Sequence, residues 1–214
     1  MSDDVLNRLE KVYGAKDRAA LEQEYAGWAK RYDGDVMALG YTPHALVAGM
    51  AARYLPAGEG PLLDCGAGTG LVAVLLHAFG LRDLVALDMS DAMLAVAKSR
   101  GVYRDCVQGV LGERLPFDDA SFAAVVGAGT FTAGHAPGES FHEMTRVLRP
   151  GGVMVVGLRG DGDHAKRYLD CLTVLTEAGK LTHLADSTPC PAFLLSAEEA
   201  HVLTVVKVFR RTGA

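Results

Sequence analysis

Residues Leu62-Leu63-Asp64-Cys65-Gly66-Ala67-Gly68-Thr69-Gly70 constrain this chain more than any other stretch. Two apolar residues lead into an acid, and three glycines follow at alternate positions. The next residues, roughly Leu71 to Phe79, read as a helix that Gly80 stops. A second apolar run, Leu84-Val85-Ala86-Leu87, also ends on an acid, Asp88. The pattern is a strand, a glycine turn, a helix and a second strand. A chain passing from strand to helix within a few residues needs backbone angles that glycine reaches cheaply. The missing side chains let a ligand approach the backbone, beside a helix start that favours anions. Such units build nucleoside-binding α/β sheets.

The spacing narrows the ligand. A dinucleotide turn reads G-x-G-x-x-G and lays a pyrophosphate against the backbone. Here the spacing is G-x-G-x-G, and Asp64 stands two residues before Gly66, where it would repel a pyrophosphate. An acid there suits a ligand carrying an ammonium group, such as the methionine end of S-adenosylmethionine. Asp88 is placed to accept from two ribose hydroxyls. NAD-type folds share that second acid, so Asp88 alone does not discriminate.

Periodicity extends the sheet. Strands are expected at 61–65, 84–88, 103–108, 121–127, 152–158, 191–195 and 202–209, with helices at 70–79, 90–100, 137–148 and 162–179. Ser90 is a cap and Gly101 a stop for the second helix. Ahead of the sheet, Val5, Leu9 and Val12, then Leu21, Tyr25 and Trp28, have helical spacing over 3–32, which Tyr32-Asp33-Gly34-Asp35 breaks. Thr42 caps and Pro43 begins a helix running to about Tyr54. Strand–helix alternation predicts a parallel sheet. The short connection holding Glu198-Glu199 makes the last pair of strands an antiparallel hairpin. The expected fold class is therefore α/β: a Rossmann-like, mostly parallel seven-stranded sheet, its last strand antiparallel, with helices on both faces.

The 214 residues fit one such domain with a modest extra segment, divided as 1–56 and 57–214. Half the residues are apolar, yet no apolar run is long enough to cross a bilayer. The acidic start, Met1-Ser2-Asp3-Asp4, lacks a signal-peptide core. Cys65, Cys106, Cys171 and Cys190 are scattered, which fits a reducing cytoplasm and argues against zinc. A net charge of −5 without a Lys/Arg cluster argues against a nucleic-acid substrate.

Four pieces of the chain resemble the class I S-adenosylmethionine-dependent methyltransferases. They are the turn Asp64–Gly70, Asp88, Leu115-Pro116-Phe117-Asp118-Asp119-Ala120-Ser121-Phe122, and Leu148-Arg149-Pro150-Gly151-Gly152. R-P-G-G is a tight turn, with proline presetting one angle and glycine allowing a positive one. A closer resemblance spans nearly the whole chain. Trp28-Ala29-Lys30-Arg31-Tyr32-Asp33, Leu39-Gly40-Tyr41-Thr42-Pro43 and Val205-Val206-Lys207-Val208-Phe209-Arg210-Arg211 are similar to the Williams–Beuren syndrome region methyltransferase-like proteins.

The resemblance implies methyl transfer from S-adenosylmethionine, with S-adenosylhomocysteine as product; the subgroup brings no defined substrate with it. The lack of a large substrate domain argues for a small molecule with an O, N, S or C nucleophile, and the lack of a metal-ligand cluster for a reaction without metal. The resemblance implies cofactor contacts from Tyr32, Asp64, Gly66, Ala67, Gly68, Gly70, Asp88, Met89, Leu111, Gly112 and Gly127. It also implies an N-terminal segment folded over the cofactor, with Tyr32 and Asp33 as contacts. For Trp28 and Tyr32 the alternative is packing of an amphipathic helix. Family members often carry an acid before L-P-F for the adenine amino group. Here Leu111-Gly112-Glu113 stands there, so Leu111 packs on the ring, Gly112 N–H bonds a ring nitrogen, and the amino contact is weaker or supplied elsewhere.

Displacement at a sulfonium needs alignment and exclusion of water, with a base as an option. His135, in the loop 127–137 beyond the fourth strand, is the candidate base and a candidate acceptor contact, or else a solvated loop histidine. Tyr41, His44 and Phe131 are further candidate acceptor contacts, Tyr41 and His44 being equally readable as helix-start packing. Loop 180–192 is expected to help close the pocket. His77, His142 and Glu143 read as structural or solvated. The chain has no N-P-P-Y and no metal-ligand cluster after the fourth strand. The alternative to catalysis is a cofactor-binding regulatory or partner subunit. The oligomeric state is not legible.

Overall fold

A computed structural model describes residues 2–132, 135–160 and 162–213. The core is a sheet of β1 (Leu62–Cys65), β2 (Leu84–Asp88), β3 (Asp105–Gln108), β4 (Phe122–Phe131), β5 (Leu148–Arg159), β6 (Leu181–Asp186), β7 (Cys190–Pro191) and β8 (Leu203–Arg211). Its order is β3-β2-β1-β4-β5-β8-β6, with β7 pairing β8. The first five strands of that order run parallel. β8 lies antiparallel to β5, β6 and β7. The order reverses between β1 and β4, which both start a crossover, and that switch point is where such sheets bind ligands.

Both faces of the sheet are covered. Alternation along each strand sends one set of side chains to each face. Leu63, Val85, Val125, Met154 and Phe209 meet α7 (Ser140–Val147) and α8 (Gly162–Glu177). Leu62, Leu84, Ala124, Val153 and Val208 meet α4 (Pro43–Tyr54) and α5 (Leu71–Ala78). α6 (Asp91–Ser99) packs Leu94 against Ala67 and Ala86. Each fully buried leucine, valine or phenylalanine contributes about 1.5–3 kcal/mol.

The expected elements are present with instructive differences. The helix over 3–32 is two helices, α1 (Ser2–Tyr13) and α2 (Arg18–Trp28), because Asp17 takes an extended conformation and accepts from Ala20 N–H at 2.9 Å. The segment read as a breaker is itself a helix, α3 (Tyr32–Ala38). It is tied back by Asp35, which accepts from Trp28 Nε1 at 2.7 Å. α1, α2 and α3 share one apolar cluster of Val5, Leu9, Val12, Leu21, Trp28 and Val36. Ala192, Phe193 and Val202 complete that cluster. The strand expected at 191–195 is therefore reduced to Cys190–Pro191, since Phe193 turns under the helices and bridges Tyr41.

Three further expectations are corrected. The loop 180–192 contains β6, a sheet edge strand, and residues 181–186 line neither cavity described below. Thr42 is no side-chain cap: its hydroxyl donates to Pro191 O at 2.7 Å, although Pro43 does begin the helix. R-P-G-G is an irregular start to β5, with Gly151 at φ 78°. A Cβ on Gly152 would stand 2.8 Å from Ala123 O, so the strands approach there without room for a side chain. Ser90 does cap α6, accepting from Met93 N–H at 3.4 Å. Among the described residues no helix is long and apolar enough to cross a membrane.

Candidate active site

The carboxyl ends of β1, β2 and β4 open into a cavity of about 530 Å³, within the range that holds small ligands and cofactors. One wall is the glycine turn with Gly66 and Gly68, then Asp88 and Met89 at the end of β2. A second is Gly109–Glu113, after β3. A third is Ala128–Thr130 with His135–Pro137, after the pleated part of β4. The roof is the connector Ala15–Arg18 with Leu21, Tyr25 and Tyr32 of the N-terminal helices.

The turn is open where a ligand would lie. Gly68 has φ 54°, and a Cβ there would meet nothing within 4 Å. Gly66, at φ 70°, is tight for another reason: a Cβ would collide with Thr130 at 2.4 Å. Asp88 is held at the cavity edge by two backbone donors, Gly68 N–H at 2.8 Å and Ser90 N–H at 2.9 Å. Each oxygen accepts one bond and keeps a second lone pair, the arrangement a vicinal diol needs. Burial pushes the Asp88 carboxyl up, and the backbone donors pull it back toward ionisation.

Asp64 is placed differently from the sequence reading. It is buried at 1 % exposure beneath the turn and is not on the cavity wall. One oxygen accepts from Tyr103 hydroxyl at 2.7 Å; the other, Oδ1, is buried without a hydrogen-bond partner. Burial pushes its carboxyl up to about 7, against the lowering bond from Tyr103. Ala67, Gly70 and Gly127 likewise lie behind the wall. Ala67 N–H is bound to Leu87 O, Gly70 packs on Tyr103, and a Cβ on Gly127 would stand 3.0 Å from the Phe131 ring. Tyr32, Gly66, Gly68, Asp88, Met89, Leu111, Gly112 and His135 are on the wall.

The roof is fastened at two places. Arg18 pairs with Glu113 across the mouth at 2.5 Å. Asp33, at the start of α3, accepts from the Thr69 hydroxyl at 2.5 Å and pairs with Arg100, which also donates to Thr69 O. The roof thus bonds to the glycine turn itself. The connector Ala15–Arg18, Tyr25 and Glu113 were missed from sequence. Gly14 followed by Asp17, a stop and then a cap, was the available signal for the connector.

His135 and Tyr25 meet at 2.7 Å, Nε2 to hydroxyl, with the rings edge to face. Burial, then the neighbouring Tyr32, Tyr13 and Tyr41, raise the Tyr25 hydroxyl well above its ordinary value, so it stays protonated. Behind this pair lies a second cavity of about 60 Å³, which shares Tyr25, Tyr32, Gly129 and His135 with the first. Tyr41 and Phe131 line this second cavity and not the first. His44 lines neither: it stacks on Tyr41 at 5.5 Å, and its buried Nδ1 has no partner. Burial lowers its pKa. Of the loop 127–137, Ala133 and Gly134 lie outside the described residues. Glu143 is structural, accepting from Leu115 N–H at 2.9 Å and pairing with Arg146 at 2.7 Å. Among the described residues no group of His, Cys, Asp and Glu is placed to hold a metal ion.

Residues 63–156 match the family model described as a methyltransferase domain. That stretch of the chain is similar to a methyltransferase domain. Methyltransferase-like protein 27 of Homo sapiens is 34 % identical over 162 residues, covering 73 % of this chain and 64 % of that protein. Demethylmenaquinone methyltransferase of Mycolicibacterium gilvum is 36 % identical over 157 residues, covering 65 % of this chain and 63 % of that protein. The chain thus spans less than two thirds of the length of the curated relatives it matches first. A solved SAM-dependent methyltransferase from Thermotoga maritima superposes with a TM-score of 0.63 at 18 % identity, covering 88 % of this chain and 98 % of that one. The matched stretch runs from β1 into β5, the half of the sheet that carries the cavity.

Proposed function

We propose that this protein binds S-adenosylmethionine in the larger cavity and transfers its methyl group to a small-molecule nucleophile. The observation that carries this reading is the pairing of an open Gly68 with Asp88, both on the wall of a roofed cavity at the sheet's switch point. The residues fit the cofactor. Asp88 has free lone pairs for a ribose diol, and Leu111 with Gly112 offers an apolar face and a backbone donor for adenine. Met89 and Tyr32 add apolar surface beside them. Asp64, buried behind the turn, keeps an Oδ1 with no hydrogen-bond partner among the described residues, and a cationic group bound at the turn would favour its ionised form.

The cofactor, when bound, supplies an activated methyl group on a sulfonium with a good neutral leaving group. The chain's own residues align and enclose. Arg18–Glu113 and Asp33–Thr69–Arg100 hold the roof down and exclude water. His135, aligned by Tyr25, takes the acceptor's proton and passes it to solvent. The roofed cavity of about 530 Å³ favours a small acceptor. In this reading residues 1–56 cover the site and residues 57–214 form the core, with α4 anchoring the cover to the sheet.

Calorimetric titration with S-adenosylmethionine, S-adenosylhomocysteine and NAD tests the reading. Binding of the two sulfur ligands without NAD is the expected result. Folded, ligand-free protein that binds neither sulfur ligand would overturn it. Binding without turnover across a broad acceptor panel would favour a non-catalytic subunit.

A further inference from the structure

We propose that Asp64 gives up a proton when a cationic ligand enters the larger cavity, so that cofactor uptake by this protein is a proton-releasing step. This rests on the methyltransferase reading above and adds a proton to the binding equilibrium of the same site.

Asp64 is a buried acid with too few partners for its charge. It stands in β1, in register with Ala86 of β2 on one side and Val126 of β4 on the other. It is 1 % exposed. One oxygen accepts from the Tyr103 hydroxyl at 2.7 Å, and Oδ1 has no partner. A carboxylate buried with a single donor is costly, so the neutral acid is the cheaper form in the empty protein. Burial accordingly holds the proton up to about pH 7.

The protein supplies no cation to offset that cost. The two groups that act on Asp64 are Tyr103, which donates to it, and Asp88, a second acid that raises it further. Its neighbour Cys65 is buried, and burial followed by Asp64 pushes the thiol up, so it stays neutral. Burial and Asp64 likewise keep the Tyr103 hydroxyl protonated. From the roof, Tyr41 stays protonated through burial, then Tyr32 and Tyr13, with Asp64 adding to them. Arg100, which acts on Tyr103, donates to Thr69 O and pairs with Asp33.

The ligand side of the turn is where a cation can enter. Gly66 and Gly68, two and four residues after Asp64, are on the cavity wall, and Gly68 faces open space. Tyr103 lies under the same turn, since a Cβ on Gly70 would stand 2.9 Å from its ring. A cation bound at the turn therefore meets two acids, Asp88 on the wall and Asp64 behind it. Attraction across a low-dielectric interior favours the carboxylate form of Asp64. The O–H bond breaks, the electron pair stays on the carboxylate, and the proton goes to solvent. Affinity for a cation should then rise as pH rises toward 7 and level above it.

Titration calorimetry at pH 6.5, in phosphate and in imidazole buffer, counts the protons from the difference in heat. The probes are S-adenosylmethionine, with a sulfonium and an ammonium; S-adenosylhomocysteine, with an ammonium alone; and 5′-methylthioadenosine, with neither. The wild type is expected to release about half a proton or more with each of the first two and none with the third. Its affinity for S-adenosylmethionine should rise about tenfold from pH 5.5 to 7. Asp64→Asn should abolish the release and the pH dependence while still binding S-adenosylhomocysteine. Tyr103→Phe removes the one donor to Asp64 and should move the release to higher pH. A wild type that binds without releasing a proton would overturn the proposal, as would equal release with 5′-methylthioadenosine. Release that survives in Asp64→Asn would assign the proton to another group, such as Asp88, and overturn it too. Should Asp64→Asn fail to bind, Tyr103→Phe carries the comparison, and an unchanged release profile there overturns it. Failure of the wild type to bind either cationic ligand would instead remove the methyltransferase reading beneath it.

Discussion

Tyr25 on the roof helix α2 and His135 after β4 join hydroxyl to Nε2 at 2.7 Å, across 110 residues of sequence. The bond ties the cover to the residue with the best titration range for a base. His135→Asn should lower kcat by about 10²-fold or more, the usual contribution of a general base. Tyr25→Phe should lower kcat less and shift the acidic limb of the pH–rate profile. Profiles of kcat for the two variants, beside S-adenosylhomocysteine affinity, check this. An unchanged kcat in His135→Asn would leave the histidine as a wall residue only.

Gly68 faces open space at φ 54°. Gly68→Val places a branched side chain in the cavity and costs about 1–2 kcal/mol of backbone strain. Cofactor binding should disappear while far-UV circular dichroism stays native. Titration calorimetry on the folded variant reads the result.

Asp88 accepts from the backbone N–H groups of Gly68 and Ser90. Asp88→Ala should weaken cofactor binding by about 1–3 kcal/mol, since it removes charge-assisted acceptors and leaves the turn's donors unpaired. Asp88→Asn should recover only part, because its amide offers one acceptor oxygen in place of two. Dissociation constants for S-adenosylhomocysteine rank the three proteins.

Asp64 supplies a pH dependence with a definite sign. Folded, it holds its proton to about 7; unfolded, an aspartate loses it at about 3.9. Between those values the folded protein binds more protons, so this group makes stability fall as pH rises, with no further change above the folded value. Asp64→Asn removes that slope. Urea unfolding of both proteins from pH 5 to 8 should show the variant gaining on the wild type up to about pH 7, then a constant difference.

Asp33 bridges the roof to Thr69 and Arg100. Asp33→Ala should speed cofactor release more than it lowers global stability. The more exposed Arg18–Glu113 pair is a weaker fastening, worth about 0–1 kcal/mol. Stopped-flow release of S-adenosylhomocysteine from Asp33→Ala and Arg18→Ala should order them in that way.

The sheet was legible because its signals are local. Gly66, Gly68, Gly70, Ser90 and the runs ending at Asp64 and Asp88 each act within a few residues of themselves. What escaped depends on partners far along the chain. Gly34 and Asp35 read as a break, yet Trp28 captures Asp35 and a helix forms. Phe193 looked like strand and is instead pulled beneath the roof by Tyr41. β6 was hidden because an edge strand with few buried residues shows little alternation. At the site, the sequence placed Asp88 on the turn but could not show that Asp64 is buried behind the cavity wall.

The roof helices come first in the chain, but what holds their far side comes late. Thr42 N–H donates to Ala192 O, Leu194 N–H to Gly40 O, and Leu195 N–H to Leu39 O. A ribosome therefore delivers α1 to α3 long before the segment that clamps them. The parallel strands β1 to β5 are complete while the roof still waits, so docking of the N-terminal helices is a late event in folding. The apolar stripe of Val5, Leu9 and Leu21 is completed only by Ala192, Phe193 and Val202, so the cover over the site is finished by nearly the last part of the chain to be made.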